Sequence, residues 1–501
     1  MAASAPLALV IGLGASGMAA ARLLAHTGWR LRVADTRAAP PALEEHLAAL
    51  RAEQPATEFV GSALVPELLD GVALLVLSPG LSPTHSAAAA VVQAAQARGI
   101  AVAGEIELFA RELARLAAFR GYAPRVLGVT GTNGKTTTTA LLGTMIEASG
   151  RSVAVAGNIG PSALDELRTR LRENRLPEVW VLELSSFQLA TTTSLACDAA
   201  VVLNLTQDHL DWHGDMEAYA SAKARIFART TVQVLNRDEA RVAAMVRKDG
   251  AAITFGAGRP CHGNEYGLAE EGGLVWLAWA EDLSPPGRKR KAAAELPGLP
   301  GEIHLHLLMP AEALKLRGRH NALNALAALA LARAIGCPLA PLLNAAAEFR
   351  GEPHRVQFVA QVTGVDYVDD SKGTNVGATV AAIDGLAAEG RRLVLILGGE
   401  GKGQDFAPLA VPMQRAARAA VLIGRDAPAI AAVLGGAHYP VEHADSLAEA
   451  VTAAARLAEP GDAVVLSPAC ASFDMFRDYA HRAEVFVSAV RELALEVGQP
   501  C

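Results

Sequence analysis

The sequence is poor in cysteine and in aromatic residues and has no excess of positive charge. Its 501 residues include five cysteines, an odd and scattered set without metal-ligand spacing, which we interpret as reduced thiols of a cytoplasmic protein. The 45 Lys and Arg residues against 52 Asp and Glu residues give a net charge of −7. This balance argues against a nucleic acid or an anionic membrane surface as partner.

Long apolar runs are also missing. No stretch of about twenty apolar residues free of glycine and charge occurs, so the sequence predicts no membrane span. The apolar N-terminus imitates a signal peptide, but no Lys or Arg precedes Arg22, and glycines at 12, 14 and 17 interrupt it. We interpret this segment as part of the folded protein.

The sequence contains one repeated pattern: a short apolar run, a glycine-rich turn, and then a helical segment rich in Ala and Leu. Runs such as "LALVIGLG", "RVLGVTG" and "RRLVLILGG" are typical of buried parallel strands in α/β domains. The length suggests about three such domains. The repeated pattern is interrupted at 111–124 and at 345–354, and we take these interruptions as domain boundaries. The predicted domains are therefore 1–122, 123–350 and 351–501. Residues 281–300, with prolines and a basic run, are predicted to be a solvated surface excursion.

Two glycine-rich turns point to nucleotides. The first, Gly12, Gly14 and Gly17 with Asp35 closing the next strand, has the G-x-G-x-x-G spacing that lets a backbone approach a pyrophosphate. This pattern is weak by itself, because a bare tight turn between strand and helix gives the same spacing. It does not decide which nucleotide binds.

The second turn, "GTNGKTT" from Gly131 to Thr137, supplies glycines for exposed N–H groups, a lysine for terminal phosphates and a hydroxyl for Mg²⁺. Val129 stands where the strict phosphate-loop pattern requires its first glycine. Since a dinucleotide turn does not need the lysine, this site is the better candidate for a nucleoside triphosphate. The alternative is a polar connection without a ligand.

Acidic and basic side chains follow the next strands. Glu183 ends a buried strand, where a carboxylate is costly unless a cation or donor meets it, so it is a candidate Mg²⁺ ligand. A helix-capping or salt-bridged glutamate is the alternative. Asp208, His209, Asp211 and His213 form an Asp and His cluster at the end of the next strand. Within it, His209 is a candidate ligand of a second metal, although a lone histidine is more often structural. Lys223, taken alone, is expected on the surface.

Four segments in this order, "GVTGTNGKTTT", "LELSSFQL", "LNLTQDHLDWHG" and "YASAKARIF", resemble the central ATPase domain of the Mur ligases, the ATP-dependent amino-acid ligases of peptidoglycan synthesis. Folylpolyglutamate synthases share the phosphate loop, so the flanking segments discriminate. These resemble the family member that joins D-glutamate to UDP-N-acetylmuramoyl-L-alanine, and they are "ADTR", "LSPG", "AGNIG", "GEPHR", "DDSKGTN", "GGEGKGQDF" and "SPACASFDMFRDY". The resemblance spans nearly the whole chain.

The resemblance implies a three-domain α/β fold. The N-terminal domain would be Rossmann-like and bind UDP, the central domain would be a P-loop ATPase-type domain with a mostly parallel sheet, and the C-terminal domain would be Rossmann-like and bind the amino acid. It further implies ATP, two Mg²⁺ ions, UDP-N-acetylmuramoyl-L-alanine and D-glutamate as ligands of a monomer. The domains are expected to close by a hinge motion on binding.

The resemblance also assigns roles to positions of this sequence. ATP would be bound by Gly131, Thr132, Asn133, Gly134, Lys135, Thr136, Thr137, Asn321, Arg355 and Asp370. The UDP-sugar would be bound by Gly14, Ser16, Asp35, Thr36, Arg37, Ser78 and Asn158. D-Glutamate would be bound by Thr374, Lys402, Ser472 and Tyr479, of which the last stands where relatives often have phenylalanine. Metal ligands would be Thr136, Glu183, His209 and Lys223, the lysine as a CO₂-derived carbamate, and the catalytic groups would be Lys135, His209, Lys223 and Arg355.

The chemistry that the resemblance implies is formation of an acyl phosphate from the alanyl carboxylate and ATP, followed by attack of the D-glutamate amine. The rival hypotheses are another Mur-type or folylpolyglutamate-synthase-type ligase, a nicotinamide-dependent dehydrogenase that uses the first glycine turn, and a nonenzymatic nucleotide-binding regulator. The dehydrogenase would leave "GTNGKTT" and the Asp and His cluster without a purpose.

Overall fold

The computed structural model describes residues 5–61, 63–247, 250–283, 303–316, 318–351, 354–387 and 390–499. These residues form three α/β units, each built on its own sheet of five, nine or six strands. The expected α/β class with mostly parallel sheets is confirmed. Of the predicted surface excursion, Glu281 and Asp282 end a strand, and residues 284–300 lie outside the described residues.

The first unit is a wholly parallel sheet with strand order β3-β2-β1-β4-β5. Its strands are β1 (Leu7–Ile11), β2 (Arg30–Asp35), β3 (Glu58–Gly61), β4 (Val72–Leu77) and β5 (Ala101–Ala103). Its helices are α1 (Ala15–His26), α2 (Leu43–Glu53), α3 (Ala89–Ala97) and α4 (Glu105–Arg120). The strand order reverses at β1, so the crevice that ligands of such sheets use lies at the carboxyl end of β1, where the first glycine turn begins.

The first glycine turn is sterically tight. A Cβ atom at Gly17 would lie 1.8 Å from the carbonyl oxygen of Gly12, and Gly12 itself has φ of +94°. By contrast, a Cβ at Gly14 would meet nothing within 4 Å. Gly12 and Gly17 are therefore required for helix α1 to leave strand β1 at this angle, and Gly14 leaves an open surface above the turn.

The second unit is a nine-stranded sheet of order β14-β13-β12-β11-β10-β9-β6-β8-β7. Its strands are β6 (Arg125–Thr130), β7 (Val153–Gly157), β8 (Val179–Glu183), β9 (Ala199–Val202), β10 (Val232–Asn236), β11 (Ala251–Phe255), β12 (Glu265–Glu271), β13 (Leu274–Asp282) and β14 (Ile303–Pro310). Its helices are α5 (Lys135–Ala148), α6 (Ala163–Arg172), α7 (Ser186–Ala190), α8 (Leu210–His213), α9 (Met216–Ala224), α10 (Ala240–Ala243), α11 (Arg319–Ala334) and α12 (Leu339–Glu348). Along this order, the neighbouring strands β12, β11, β10, β9, β6, β8 and β7 pair in parallel, whereas the β12–β13 and β13–β14 pairs are antiparallel.

The third unit is a six-stranded sheet of order β15-β16-β20-β17-β18-β19, parallel except for the β15 and β16 pair. Its strands are β15 (Gln357–Val362), β16 (Val365–Asp369), β17 (Leu393–Gly398), β18 (Ala417–Ile423), β19 (Val441–His443) and β20 (Ala463–Leu466). Its helices are α13 (Val376–Ala387), α14 (Ala410–Ala416), α15 (Ala427–Val433), α16 (Leu447–Leu457) and α17 (Tyr479–Glu496). The chain passes from the first sheet to the second between Ala103 and Arg125, and from the second to the third between Pro310 and Gln357. The domain boundaries after 122 and after 350 stay predictions.

The middle sheet positions the second glycine turn. Every residue of β8 and β9 is buried, and the two strands flank β6 on opposite sides. The carboxyl ends of these three parallel strands therefore meet at one edge, where the chain continues into the phosphate-loop sequence, Glu183 and the Asp and His cluster. This is the edge at which the sequence predicts the chemistry.

Two further expectations concern membranes and thiols. Among the described residues, no helix combines the length and the apolar character needed to cross a membrane. The four cysteines that the structure describes are free thiols, and only Cys261 is exposed.

Helix α4 of the first unit contacts the second unit through a buried carboxyl group. Glu105 is 2% exposed, and its Oε1 accepts a hydrogen bond from the backbone N–H of Leu164 at 2.8 Å, at the start of α6. Its other oxygen, Oε2, has no hydrogen-bond partner. Burial, together with the nearby charge of Asp165, raises the pKa of Glu105 to about 7.

We expect Glu105→Gln to change the pH dependence of stability. Because the folded-state pKa lies above the ordinary value, ionised Glu105 opposes folding, and the parent loses stability as pH rises from about 4.5 to about 7. A glutamine keeps the oxygen that accepts from Leu164 and never ionises. Chemical denaturation should therefore give equal stabilities near pH 4.5 and a variant more stable by up to about 3 kcal/mol at pH 8. Equal stabilities at both pH values would contradict the assignment.

Candidate functional site

The phosphate-loop sequence forms the turn between β6 and α5. Gly131 has φ of +156° and Gly134 has φ of +79°, conformations that side chains disfavour. A Cβ at Gly134 would lie 2.5 Å from the side-chain oxygen of Asn324, so α11 packs directly on the turn. Helix α5 begins directly at this turn, and among the described residues no side chain caps its N-terminus. A helix N-terminus of this kind is a common site for phosphate.

Two lysines converge on one backbone carbonyl of this turn. The Gly131 oxygen accepts from Lys135 Nζ at 3.0 Å and from Lys223 Nζ at 2.8 Å, and Lys135 Nζ also donates to the Thr132 carbonyl at 2.8 Å. Burial lowers the pKa of both ammonium groups, that of Lys223 well below its ordinary value, and the charge of Lys135 lowers it further. Lys223 is 1% exposed, so the expectation that it lies on the surface is wrong.

Lys223 is buried because α9 packs against the core of the second unit. Tyr219, one turn earlier on α9, is buried, and its ring lies 4.7 Å from Lys223 Nζ. The Tyr219 hydroxyl bonds the Thr132 hydroxyl at 3.1 Å. The sequence of α9 does not show that Lys223 faces the phosphate loop, because the helix is short and mixes polar and apolar residues. A prediction from residue type alone therefore places this lysine on the surface.

Glu183 faces the same space from the end of β8. It is 1% exposed, its Oε1 accepts from Asn158 Nδ2 at 2.7 Å, and its Oε2 has no hydrogen-bond partner. Among the described residues it neither caps a helix nor forms an ion pair, so the alternatives to a ligand role receive no support. A buried carboxylate oxygen without a donor is a position that a cation would stabilise.

His209 stands at the opposite side of the cavity, with φ of +56°, and its backbone N–H donates to Asp208 Oδ1. Its ring packs edge-on against Phe187 at 4.7 Å. Burial, together with the charges of Lys402, Lys135 and Lys223, lowers the pKa of His209 to about 4, although the Asp208 carboxylate opposes this shift. Near neutral pH the imidazole is therefore uncharged and able to ligate a metal.

The third unit closes the cavity from the other side. Arg355 donates from Nη2 to the Thr136 hydroxyl at 2.8 Å, across the two units. Lys372 lies 5.2 Å from the centre of the Tyr479 ring. The resulting cavity has a volume of ≈240 Å³ and is lined by Thr132, Asn133, Gly134, Lys135, Thr136, Asn158, Ile159, Glu183, Asp208, His209, Arg355, Lys372, Thr374, Asn375 and Tyr479.

A second, adjoining cavity extends from the phosphate loop between α11 and α13. Of the residues predicted to bind ATP, Asn133, Gly134, Thr137, Asn321, Arg355 and Asp370 line it. Burial raises the pKa of Asp370 to about 7, while its hydrogen bond from Ser467 Oγ at 2.7 Å opposes that shift. The two cavities share Arg355, so a ligand that spans them would pass this guanidinium.

The residues predicted to bind the UDP-sugar fall into two places. Both oxygens of Asp35 are engaged, one by the Leu13 N–H at 3.0 Å and both by the Arg37 guanidinium, which lowers the pKa of Asp35 to about 2. The Ser78 hydroxyl donates to the Gly12 carbonyl at 2.9 Å beneath the first glycine turn. Gly14, Ser16 and Thr36 belong to this same edge of the first sheet. Asn158 instead lines the central cavity beside Glu183.

Of the four residues predicted to bind D-glutamate, Thr374 and Tyr479 line the central cavity. Lys402 and Ser472 do not line it, although the Lys402 charge acts on His209. Lys402 has φ of +53°, and Ser472 is buried at the turn before α17, where its carbonyl accepts from the Phe476 N–H at 2.8 Å. The structure therefore brings half of this set to the cavity and leaves the other half beside it.

Several residues that line these cavities are missing from the predicted site residues, among them Asn324, Lys372 and Asn375. The spacing of Asn321 and Asn324 by one helical turn is a sequence feature that indicates both, because residues at i and i+3 share a helix face. Lys372 and Asn375 flank the predicted Thr374, but only the folded loop shows which of its side chains face the phosphate loop.

The donor set fits Mg²⁺ held together with a nucleotide. The described residues contain no group of three or more His, Cys, Asp or Glu side chains able to hold a metal ion by themselves. Mg²⁺ retains water and usually takes one or two protein ligands and phosphate oxygens. The unpartnered Glu183 oxygen, the Thr136 hydroxyl and the neutral His209 ring are donors of this kind.

Comparison with known proteins identifies the family. Three families match the chain in order: the Mur ligase MurD-like N-terminal domain at residues 7–104, the Mur ligase middle domain at 129–332, and the Mur ligase glutamate ligase domain at 354–470. Curated proteins named UDP-N-acetylmuramoylalanine–D-glutamate ligase match over 98% of this chain and 98% of their own length. They come from Burkholderia cenocepacia (56% identical), Ralstonia nicotianae (55%) and Burkholderia pseudomallei (57%).

The chain belongs to the Mur ligase family. Solved Mur ligase structures share its fold at low sequence identity. MurF ligase from Thermotoga maritima in complex with ADP superposes with a TM-score of 0.58 at 16% identity, over 85% of this chain and 96% of that one. UDP-N-acetylmuramate-alanine ligase MurC from Thermotoga maritima gives 0.54 at 20% identity, over 97% and 99%. The resemblance found in the sequence is thereby confirmed, and the dehydrogenase hypothesis and the nonenzymatic regulator hypothesis are wrong.

We expect Lys135→Ala to abolish ATP turnover while the protein stays folded. The Lys135 ammonium hydrogen-bonds to backbone carbonyls of its own loop, so its loss leaves no buried acid without a hydrogen bond, but it removes the cation that is expected to meet the phosphates of ATP. Phosphate release should fall by at least about 10³-fold, the order of effect of losing a transition-state charge contact.

The matched control for Lys135→Ala is Arg229→Ala, which removes an exposed cation of the same unit. It should leave phosphate release unchanged. Circular dichroism should show equal unfolding temperatures for all three proteins. Residual turnover within tenfold of the parent would contradict the role of Lys135.

Proposed function

We propose that this Mur ligase joins D-glutamate to UDP-N-acetylmuramoyl-L-alanine with cleavage of ATP to ADP and phosphate, in cytoplasmic peptidoglycan precursor synthesis. The observation that carries the proposal is the central cavity, which places a phosphate loop, a buried unpartnered carboxylate and polar groups of the third unit against one another. The 55–57% identity to relatives named for this reaction, along the whole chain, supports the choice of substrates.

The reaction needs activation of a poor electrophile. The alanyl carboxylate attacks the γ-phosphorus of ATP, which breaks the bond to the β-phosphate oxygen and gives an acyl phosphate and ADP. The D-glutamate amine then attacks the acyl carbon, loses a proton, and inorganic phosphate leaves. Lys135 and Arg355 neutralise charge on the transferred phosphoryl group and hold it in line with the carboxylate.

Two Mg²⁺ ions, when bound, would neutralise the negative charge of the phosphates. Thr136 and Glu183 would hold one ion, and His209 with Lys223 the other. An ammonium group is not a metal ligand, so Lys223 would act as a carbamate, formed when its neutral amine adds CO₂ and releases a proton. The lowered pKa of Lys223 supports this, because it makes the neutral amine available.

The substrates would enter from the flanking units. The open surface above Gly14, with Ser16, Thr36, Arg37 and Ser78 near it and Asp35 fixing the Arg37 side chain, would take the UDP group. The sugar-peptide arm would then reach Asn158 in the central cavity. Thr374 and Tyr479, with Lys402 and Ser472 beside them, would hold D-glutamate. Asn321 and Asp370 would contact the adenosine part of ATP.

Substrate choice is tested by phosphate release from ATP with UDP-N-acetylmuramoyl-L-alanine and one amino acid at a time. We expect release with D-glutamate and at least about 100-fold less with L-glutamate or L-lysine, because a site that hydrogen-bonds one enantiomer leaves its polar groups unpaired with the other. Omission of the UDP-sugar is the control and should abolish release. Release with L-lysine but not D-glutamate would point to another ligase of the family.

Lys223→Ala is expected to lose most activity and to regain part of it when short carboxylic acids such as acetate or formate are added. The substitution leaves a gap beside the Gly131 carbonyl, and a small carboxylate there would replace the carbamate. Lys135→Ala is the matched control. This substitution removes an ammonium group and not the carbamate, so acetate or formate should not restore its activity. Equal behaviour of both variants toward acetate would remove support for the carbamate.

A further inference from the structure

Two asparagines join the second and third units by a reciprocal pair of hydrogen bonds. Asn133 lies in the phosphate loop, and Asn375 lies 242 positions later, just before α13. Asn375 Nδ2 donates to Asn133 Oδ1 at 3.0 Å, and Asn133 Nδ2 donates to Asn375 Oδ1 at 3.2 Å. Asn375 is 4% exposed, so the pair is largely shielded from water.

The phosphate-loop end of this pair is itself fixed. The Asn133 backbone N–H donates to Asn204 Oδ1 at 2.8 Å, and Asn204 Nδ2 donates to the Asn133 carbonyl at 3.1 Å. Asn204 follows β9 of the same unit. The position of the Asn133 amide is thus set by the rigid sheet edge that also carries Gly134 and Lys135.

The other end is fixed to the third unit. Asn375 Oδ1 accepts from the Ala378 N–H at 2.9 Å, the pattern of a helix N-cap at the start of α13. Asn375 Nδ2 also reaches Asp208 Oδ2 at 3.3 Å. Its neighbour is Thr374, which lines the central cavity. Asn375 therefore links the first turn of α13 to the loop that bears a proposed D-glutamate contact.

The contact around the pair leaves no room for a methyl group. A Cβ at Gly377, on the first turn of α13, would lie 2.8 Å from Thr206 Oγ1 and 3.1 Å from Asn133 Nδ2. Glycine within a helix is unfavourable relative to alanine. Its presence here is explained by the close approach of the two units rather than by the helix.

We propose that Asn375 is a positioning residue that, through Asn133, fastens the D-glutamate loop to the phosphate loop when the two units close. The inference rests on the proposed function. Opening of the units breaks both hydrogen bonds, so the pair shifts the population toward the closed form. D-Glutamate, which needs groups of the third unit next to the phosphate loop, binds the closed form, and its apparent affinity depends on that population.

The test is a double-mutant cycle with Asn375→Ser and Asn133→Ala. Serine retains the ability to cap α13 but does not carry an amide, so the variant keeps the cap and removes the interdomain pair together with the 3.3 Å contact between Asn375 Nδ2 and Asp208. Each single variant should raise the KM for D-glutamate about tenfold, since two neutral hydrogen bonds are lost. For Asn375→Ser, which leaves the phosphate loop unchanged, kcat should change less than about threefold. The double variant should be no worse than either single variant, because each change alone removes the whole pair.

Two results would overturn the proposal. One is a double variant whose loss equals the product of the single losses, which would mean that the residues act independently. The other is an unchanged KM with a lowered kcat. Asn344→Ala, an exposed asparagine on α12, is the control and should change neither constant.

Two measurements separate this inference from protein stability and from the proposed function. Gly377→Ala should not lower the unfolding temperature, because alanine favours the helix, yet it should raise the KM for D-glutamate. Small-angle scattering of the proteins without substrates should show a larger radius of gyration for Asn375→Ser than for the parent. If the parent has no D-glutamate ligase activity but its scattering differs from that of Asn375→Ser, the proposed function fails and the role of the Asn133–Asn375 pair in closure stands. Identical scattering curves for the parent and Asn375→Ser would overturn that role.

Discussion

The Gly131 carbonyl organises the site, because one oxygen accepts hydrogen bonds from two buried lysines. An ammonium group removed from water is unstable unless carbonyl or carboxylate oxygens surround it. Lys135 and Lys223 meet this need with the backbone oxygen of Gly131, a residue with positive φ, and the charges of Glu183 and Asp208 oppose the loss of their protons. The loop thus holds two lysines of lowered pKa next to the place where phosphates would bind.

Parallel sheets explain how residues far apart in sequence reach this loop. The carboxyl ends of β6, β8 and β9 meet at one edge of the second sheet, which places Lys135, Glu183 and His209 together. Strand β16 of the third sheet ends at Asp369, and the loop that follows it carries Thr374 and Asn375 to the same space. The third unit therefore completes the cavity with a strand end of its own, in agreement with the rule that ligands bind at such ends.

Much of this arrangement can be predicted from the sequence. The rest cannot be predicted, and the reasons are physical. Strands such as β8 are continuous apolar runs, so the fold class and the strand end at Glu183 follow from local pattern. The burial of Lys223 does not follow, because a nine-residue helix with mixed polarity gives no direction for one lysine. The pairing of Asn133 with Asn375 is equally hidden, because it depends on the approach of two units and not on any local preference.

The groups that cost stability are concentrated where ligands are proposed to bind. Glu183 Oε2 is buried without a hydrogen bond, two lysines have lowered pKa values, and His209 adopts a positive φ. Each of these is unfavourable for the folded chain alone and would be relieved by a cation, an anion or both. Ligands that bind only the folded, closed form stabilise it by mass action. The same groups that weaken the free protein therefore make binding of the phosphate-bearing substrate and closure of the units favour one another.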